Sequence, residues 1–138
     1  MESMRQSAKL ESLEGFMQFV ITSAGDAGFP AKRIMEIELA VEEALVNIIN
    51  YAYPDQDNGD VEIICGLEDQ ERFIIEIRDS GVPFDVGAQS DPDLDATIAE
   101  RKIGGLGIFL VRKMADEMQY KREGEENVLT LLILKPEE

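Results

Sequence analysis

Residues 61–79, VEIICGLEDQERFIIEIRD, decide what kind of fold this chain builds. The two flanks, Val61–Leu67 and Arg72–Asp79, are rich in Ile, Val and Phe, and the Glu-Asp-Gln-Glu between them has hairpin length, which predicts an antiparallel strand pair. In the second flank Phe73, Ile75 and Ile77 alternate with Ile74, Glu76 and Arg78. Side chains alternate between the two faces of a strand, so Asp79 falls on the same face as Phe73, the covered one. A carboxylate carried there is costly unless donors meet it, which makes Asp79 either a turn-capping residue or a ligand contact. The residues alone leave both open.

Upstream of the hairpin the period changes. Leu10, Leu13, Phe16, Met17, Val20, Ile21 and Ala24 recur at spacings of three and four, which predicts an amphipathic helix ending near Gly25 to Gly28. Pro30 suits the first turn of a second helix, whose apolar stripe is Ile34, Ile37, Val41, Ala44, Leu45, Ile48 and Ala52. Pro54 ends it by disfavouring helical geometry at Tyr53.

Downstream, residues 80–103 carry Gly81, Pro83, Gly87, Pro92 and several acids, a long irregular insert of the kind that is usually functional. Gly104-Gly105-Leu106-Gly107 then opens a short helix with an apolar face. Met118–Arg122 and Asn127–Leu134 flank Glu-Gly-Glu-Glu as a second hairpin, and the last strand is apolar on both faces, as an interior strand should be. The sum is an α+β fold, an antiparallel-rich sheet with helices on one face. At 138 residues, with no repeat or low-complexity linker, one domain over 1–138 is expected.

Composition narrows the function classes. Thirteen Lys plus Arg against 29 Asp plus Glu give a net charge of −16, so a nucleic-acid partner is not expected. The chain has no His, which removes His-based metal sites, Ser-His-Asp triads and His general bases. At 44% hydrophobic residues it can still fill a core. Cys65 is the single cysteine and reads as strand packing. The longest apolar stretch, 128–134, is interrupted by Thr130 and too short for a bilayer, and no signal segment opens the chain, so a soluble cytoplasmic protein is the expectation.

Three islands carry candidate chemistry. Glu43-Ala-Leu-Val-Asn47 sets a carboxylate and a carboxamide four apart on a helix, about 40° apart around its axis. The amide oxygen suits a hard cation such as Mg²⁺ and the carboxylate a nearby hydroxyl or water; a solvated polar face is the plainer account. Asp79-Ser80-Gly81 offers an inward acceptor suited to an exocyclic amino group, with a glycine that lets backbone approach a flat ring, or simply an Asx-turn. Gly104–Gly107 at a helix start suits phosphate, or a tight turn.

In this order and at these separations, Glu43-x-x-x-Asn47, Asp79-x-Gly81 and Gly104-Gly105-Leu106-Gly107 resemble the N, G1 and G2 boxes of the GHKL (histidine kinase-like) ATPase superfamily. Within it, ELAVEEALVNIINYAY and GGLGIFLVRKMAD are similar to the bacterial anti-sigma factor serine kinases. The resemblance spans roughly residues 8–135. It implies a Bergerat-type two-layer α/β sandwich with a mixed, mostly antiparallel sheet. It implies ATP and Mg²⁺ as ligands, and transfer of the γ-phosphoryl group to a serine of a STAS-domain anti-anti-sigma protein, with a sigma factor as second partner and a homodimer as the family habit. By the same resemblance Glu43 is the general base and Asn47 the Mg²⁺ ligand. Asp79 meets the adenine with Gly81 beneath the ring, Gly104, Gly105, Leu106 and Gly107 form the phosphate cradle, and 85–103 is the ATP lid. Pro83 stands where the G1 box often has its second glycine, and Asn127, with Thr130 three residues on, where the family often has a threonine beside the base. An ATP-binding but non-catalytic regulatory module, and an acidic interaction domain without a nucleotide site, are the competing expectations.

Overall fold

The computed structural model describes residues 1–54, 59–83, 111 and 113–135. Its elements run β1 (Glu2–Ser7), α1 (Leu10–Ala27), α2 (Ala31–Tyr51), β2 (Asp60–Leu67), β3 (Arg72–Asp79), β4 (Glu117–Glu123) and β5 (Glu126–Leu134). The strands form one sheet in the order β1-β2-β3-β5-β4, and every neighbouring pair is antiparallel. Both predicted hairpins are present, and β5 lies inside the sheet between β3 and β4, which accounts for its apolar residues on both faces.

The period-two reading of β3 holds along its whole length. Phe73, Ile75, Ile77 and Asp79 are buried, and opposite them in β5 stand Ile133, Leu131, Leu129 and Asn127. This is the face that meets the helices, with Phe16, Val20 and Ala24 of α1 and Ile37, Val41, Leu45 and Ile48 of α2 in the same core. Burying side chains of this size stabilises the fold by roughly 1.5–3 kcal/mol each.

α1 stops at Gly28, whose φ of 96° is left-handed and whose N–H caps the carbonyls of the last turn. Phe29 then docks edge-on against Phe73, the ring centroids 5.5 Å apart, and ties the link between the helices to the middle of the sheet. Pro30 sits one position earlier than expected, as the residue capping α2 rather than in its first turn. β1 carries no strand signal of its own, because Glu-Ser-Met-Arg-Gln-Ser lacks alternating apolar residues. It is an edge strand, and only Met4 packs against the core.

The helix that follows Gly104–Gly107 is described only at its end, where Val111 is fully buried and the Ala115 N–H reaches the Val111 carbonyl at 3.1 Å. Arg33 of α2 grips this end. It donates to the Met114 carbonyl at 2.8 Å and to Asp116 Oδ2 at 3.0 Å. Asp116 Oδ2 in turn accepts the Leu134 N–H at the end of β5. No helix among the described residues is long and apolar enough to cross a membrane.

Candidate functional site

Asn47 is placed by the stripe that builds the core. It lies beside Ala44 and Ile48 on the buried side of α2 and is only 6% exposed, while Glu43, one turn earlier, is half-buried. Among the described residues the Asn47 side-chain oxygen Oδ1 has no hydrogen-bond partner. Leaving such an acceptor unpaired costs about 1–3 kcal/mol, so a native site that keeps one needs a reason. A hard cation with part of its water shell supplies one, because a neutral amide oxygen is a suitable ligand. The described residues contain no group of three His, Cys, Asp or Glu side chains able to hold a metal.

The other half of the site is the turn leaving β3. Asp79 is 5% exposed, and its Oδ1 accepts the Gly81 N–H at 2.9 Å and the Asn127 Nδ2–H at 2.9 Å. The turn-capping role is thus real and uses one oxygen. Both donors go to Oδ1, and no donor among the described residues reaches Oδ2. Burial pushes the Asp79 carboxyl above its ordinary pKa; the bonds from Asn127 and Gly81 and the charge of Arg122 pull it back, and Glu126 adds to the rise.

The two halves are bolted together at the end of α2. The Ala52 carbonyl accepts the Val82 N–H at 2.8 Å, and the Tyr53 hydroxyl accepts the Ser80 N–H at 2.7 Å while donating to the Asp60 carbonyl at 2.6 Å. A side chain on Gly81 would bring its first carbon within 2.2 Å of the Ala52 carbonyl oxygen, so this glycine is required by the protein's own close contact. Asn47 precedes Ala52 by five residues, about 7.5 Å along the axis, which sets its amide near the same end of the helix as the Asp79 turn.

On the far side of Asp79, Asn127 is held at both ends. Its Nδ2 also donates to the Val82 carbonyl at 2.9 Å, and its Oδ1 accepts from the Tyr120 hydroxyl at 2.6 Å and from Arg122 Nη1 at 3.2 Å. Arg122 Nη1 reaches the Gly81 carbonyl as well, at 2.7 Å. The register separates Asn127 from Thr130. Asn127 stands directly opposite Asp79, whereas Thr130 pairs with Glu76 and Gln119 on the other face of the sheet.

The structure therefore gathers Asp79, Gly81 and Asn127 at the end of the sheet, fixes them to the helix that carries Glu43 and Asn47, and turns Thr130 away. Gly104, Gly105, Leu106 and Gly107, and the 85–103 segment, lie outside the described residues. Tyr53, Tyr120 and Arg122 are the contributors that sequence reasoning missed. A signal existed for two of them: Tyr120 and Arg122 share the parity of Asn127 across the second hairpin.

A model of the histidine kinase-like ATPase domain matches residues 6–133. The chain belongs to the histidine kinase-like ATPase family. Among its relatives in this family, the serine-protein kinase RsbW of Bacillus cereus (strain AH187) is 30% identical over 125 residues, 86% of this chain and 77% of that protein. The RsbW of Listeria monocytogenes serotype 4a (strain HCC23) is 29% identical over 115 residues, 80% of this chain and 73% of the relative. Among solved structures, the RsbU and RsbW domains of Rv1364c from Mycobacterium tuberculosis superpose with a TM-score of 0.64 over 99% of this chain and 34% of that one, at 11% identity. The histidine kinase domain of the blue-light activated kinase EL346 from Erythrobacter litoralis gives 0.58 over 88% of this chain and 60% of its own, at 18% identity. At these identities the two structures speak for the shared fold, an antiparallel open sheet with helices on one face.

Proposed function

We propose that this chain is an ATP-dependent serine kinase of the RsbW type, which binds a sigma factor and phosphorylates a STAS-domain anti-anti-sigma protein. The observation that carries the reading is the orphaned Oδ1 of buried Asn47 on a helix locked to the Asp79 turn. In this reading Asp79 Oδ2 accepts from the amino group of adenine, with the turn at Gly81 beneath the base and Asn127 beside it. Asn47 contributes an oxygen to Mg²⁺, which when bound offsets the charge of the phosphates. The Gly104–Gly107 backbone supplies N–H donors to them.

Glu43 acts as general base. It takes the proton of the acceptor serine hydroxyl as that oxygen bonds to the γ-phosphorus; the bond from phosphorus to the β,γ-bridging oxygen breaks and ADP leaves. Phosphoryl transfer asks mainly for positioning and charge stabilisation, so a chain without His or Cys in the site suffices. The RsbW relatives carry the kinase name, and the family match makes ATP the nucleotide to expect. A homodimer and cytoplasmic residence complete the reading.

The test is incubation with γ-labelled ATP and a purified STAS-domain protein. Label on a serine of that protein, lost in Glu43→Gln with ATP binding retained, supports the kinase; ATP binding with no transfer by the wild type supports a non-catalytic regulatory module.

A further inference from the structure

We infer that Tyr120 and Arg122 are positioning residues of the base pocket: from the outer strand of the sheet they lock the Asn127 carboxamide so that Asp79 presents a single bare acceptor, which selects a 6-aminopurine nucleotide over a 6-oxopurine one. The inference rests on the nucleotide reading above.

A carboxamide has two ends of nearly equal shape and opposite polarity, so its neighbours decide which way it faces. A guanidinium can only donate. Arg122 Nη1 at 3.2 Å, joined by the Tyr120 hydroxyl at 2.6 Å, therefore fixes the near end of Asn127 as oxygen. The N–H₂ end is then turned to Asp79 Oδ1 and the Val82 carbonyl, each at 2.9 Å. With the Gly81 N–H on the same carboxylate oxygen, Asp79 Oδ1 has two donors, and Oδ2 is the acceptor that faces a ligand.

Arg122 does a second thing. By holding the Gly81 carbonyl at 2.7 Å it pins the turn that carries the first of those donors. Its charge also opposes the burial of Asp79, against Glu126 on β5, while Tyr53 at the end of α2 lies within electrostatic reach of the same carboxylate. As a carboxylate with both of its donors among the described residues on Oδ1, the immobilised Asp79 accepts from an amino group at Oδ2. It sets oxygen against oxygen when the base carries a carbonyl at that position, with no proton between them.

Neither Tyr120 nor Arg122 hydrogen-bonds to Asp79, so both act through Asn127 and the turn. Loss of either lets the carboxamide change rotamer, releases Asp79 Oδ1 and admits water, which blurs the distinction between the two bases.

The experiment is competitive binding of ATP and inosine triphosphate, which differ at the C6 group and tautomer of the base, to the full chain and to Tyr120→Phe, Arg122→Met and the double variant, with melting followed on each. The wild type is expected to favour ATP by at least about tenfold. The double variant should narrow that preference to roughly threefold or less, mainly by losing ATP affinity, with Arg122→Lys retaining more of it than Arg122→Met. A general loosening of the fold weakens both nucleotides alike and leaves their ratio unchanged. If the double variant does not fold, the single variants carry the test. Folded variants that keep the wild-type ratio overturn the inference and leave the nucleotide reading standing, as does a wild type that binds both equally; a wild type that binds neither overturns both.

Discussion

The Tyr53 hydroxyl stands between two strands and serves both, accepting the Ser80 N–H after β3 at 2.7 Å and donating to the Asp60 carbonyl at the start of β2 at 2.6 Å. It joins the end of α2, which carries Asn47, to the turn that follows Asp79. Tyr53→Phe removes both bonds. Because water can reach these partners, the cost should be modest, about 1 kcal/mol or a few degrees in Tm, while ATP affinity falls by more than that loss of stability explains. Thermal melts paired with nucleotide titration check it.

Gly81→Ala should be far harsher. The added carbon meets the Ala52 carbonyl oxygen at 2.2 Å and the Ala52 side chain at 2.6 Å, and backbone cannot give way as a flexible side chain would. The turn has to open, at a cost of about 2–3 kcal/mol in denaturant unfolding, and the Gly81 N–H is drawn off Asp79.

Asn47 predicts an opposition between stability and function. Asn47→Leu replaces an unpaired buried acceptor by an apolar side chain of similar size, so the nucleotide-free variant should be as stable as the wild type or more so, by about 1 kcal/mol. Equilibrium unfolding without nucleotide tests this, and a clear loss of stability would show that the amide oxygen has a partner of its own within the fold.

Asp79 predicts a pH dependence of definite sign. Burial raises its pKa above 3.8, so between that value and the folded pKa the native state holds more protons than the unfolded one. Its contribution to stability is then largest at low pH and is lost as pH rises through the folded pKa. Asp79→Asn removes this titration. Relative to that variant the wild type should lose ground between about pH 4 and neutrality, as measured by urea unfolding at the two ends.

Much of this was legible in the chain. The alternation of Phe73, Ile75, Ile77 and Asp79 gave the covered face of β3, because period two leaves no choice of side once one residue is placed. The three-and-four spacing gave both helices, and Gly28 their boundary. β1 was invisible because this edge strand is exposed along nearly its whole length, so only Met4 has a core face to fill and no apolar alternation is needed. In the candidate site, the order of the motifs pointed to Asn47 and Asp79, but Tyr53 read only as the residue before Pro54, since its role is a pair of bonds to strands distant in sequence. The choice between Asn127 and Thr130 needed the β3–β5 register, and these strands are neighbours in the sheet but far apart in sequence, with β4 between them, so no hairpin turn fixes their register.

The proposed kinase activity requires the Asn47 carboxamide of α2 and the Asp79 carboxylate of β3 to serve one magnesium nucleotide. Calorimetric titration of Mg²⁺-ATP into the wild type, Asn47→Leu and Asp79→Asn tests it most directly. Saturable one-to-one binding is expected of the wild type, lost or weakened at least about tenfold in each variant while both remain folded. Wild-type protein that gives no binding heat at any temperature tried, or variants that bind Mg²⁺-ATP as tightly as the wild type, would contradict it.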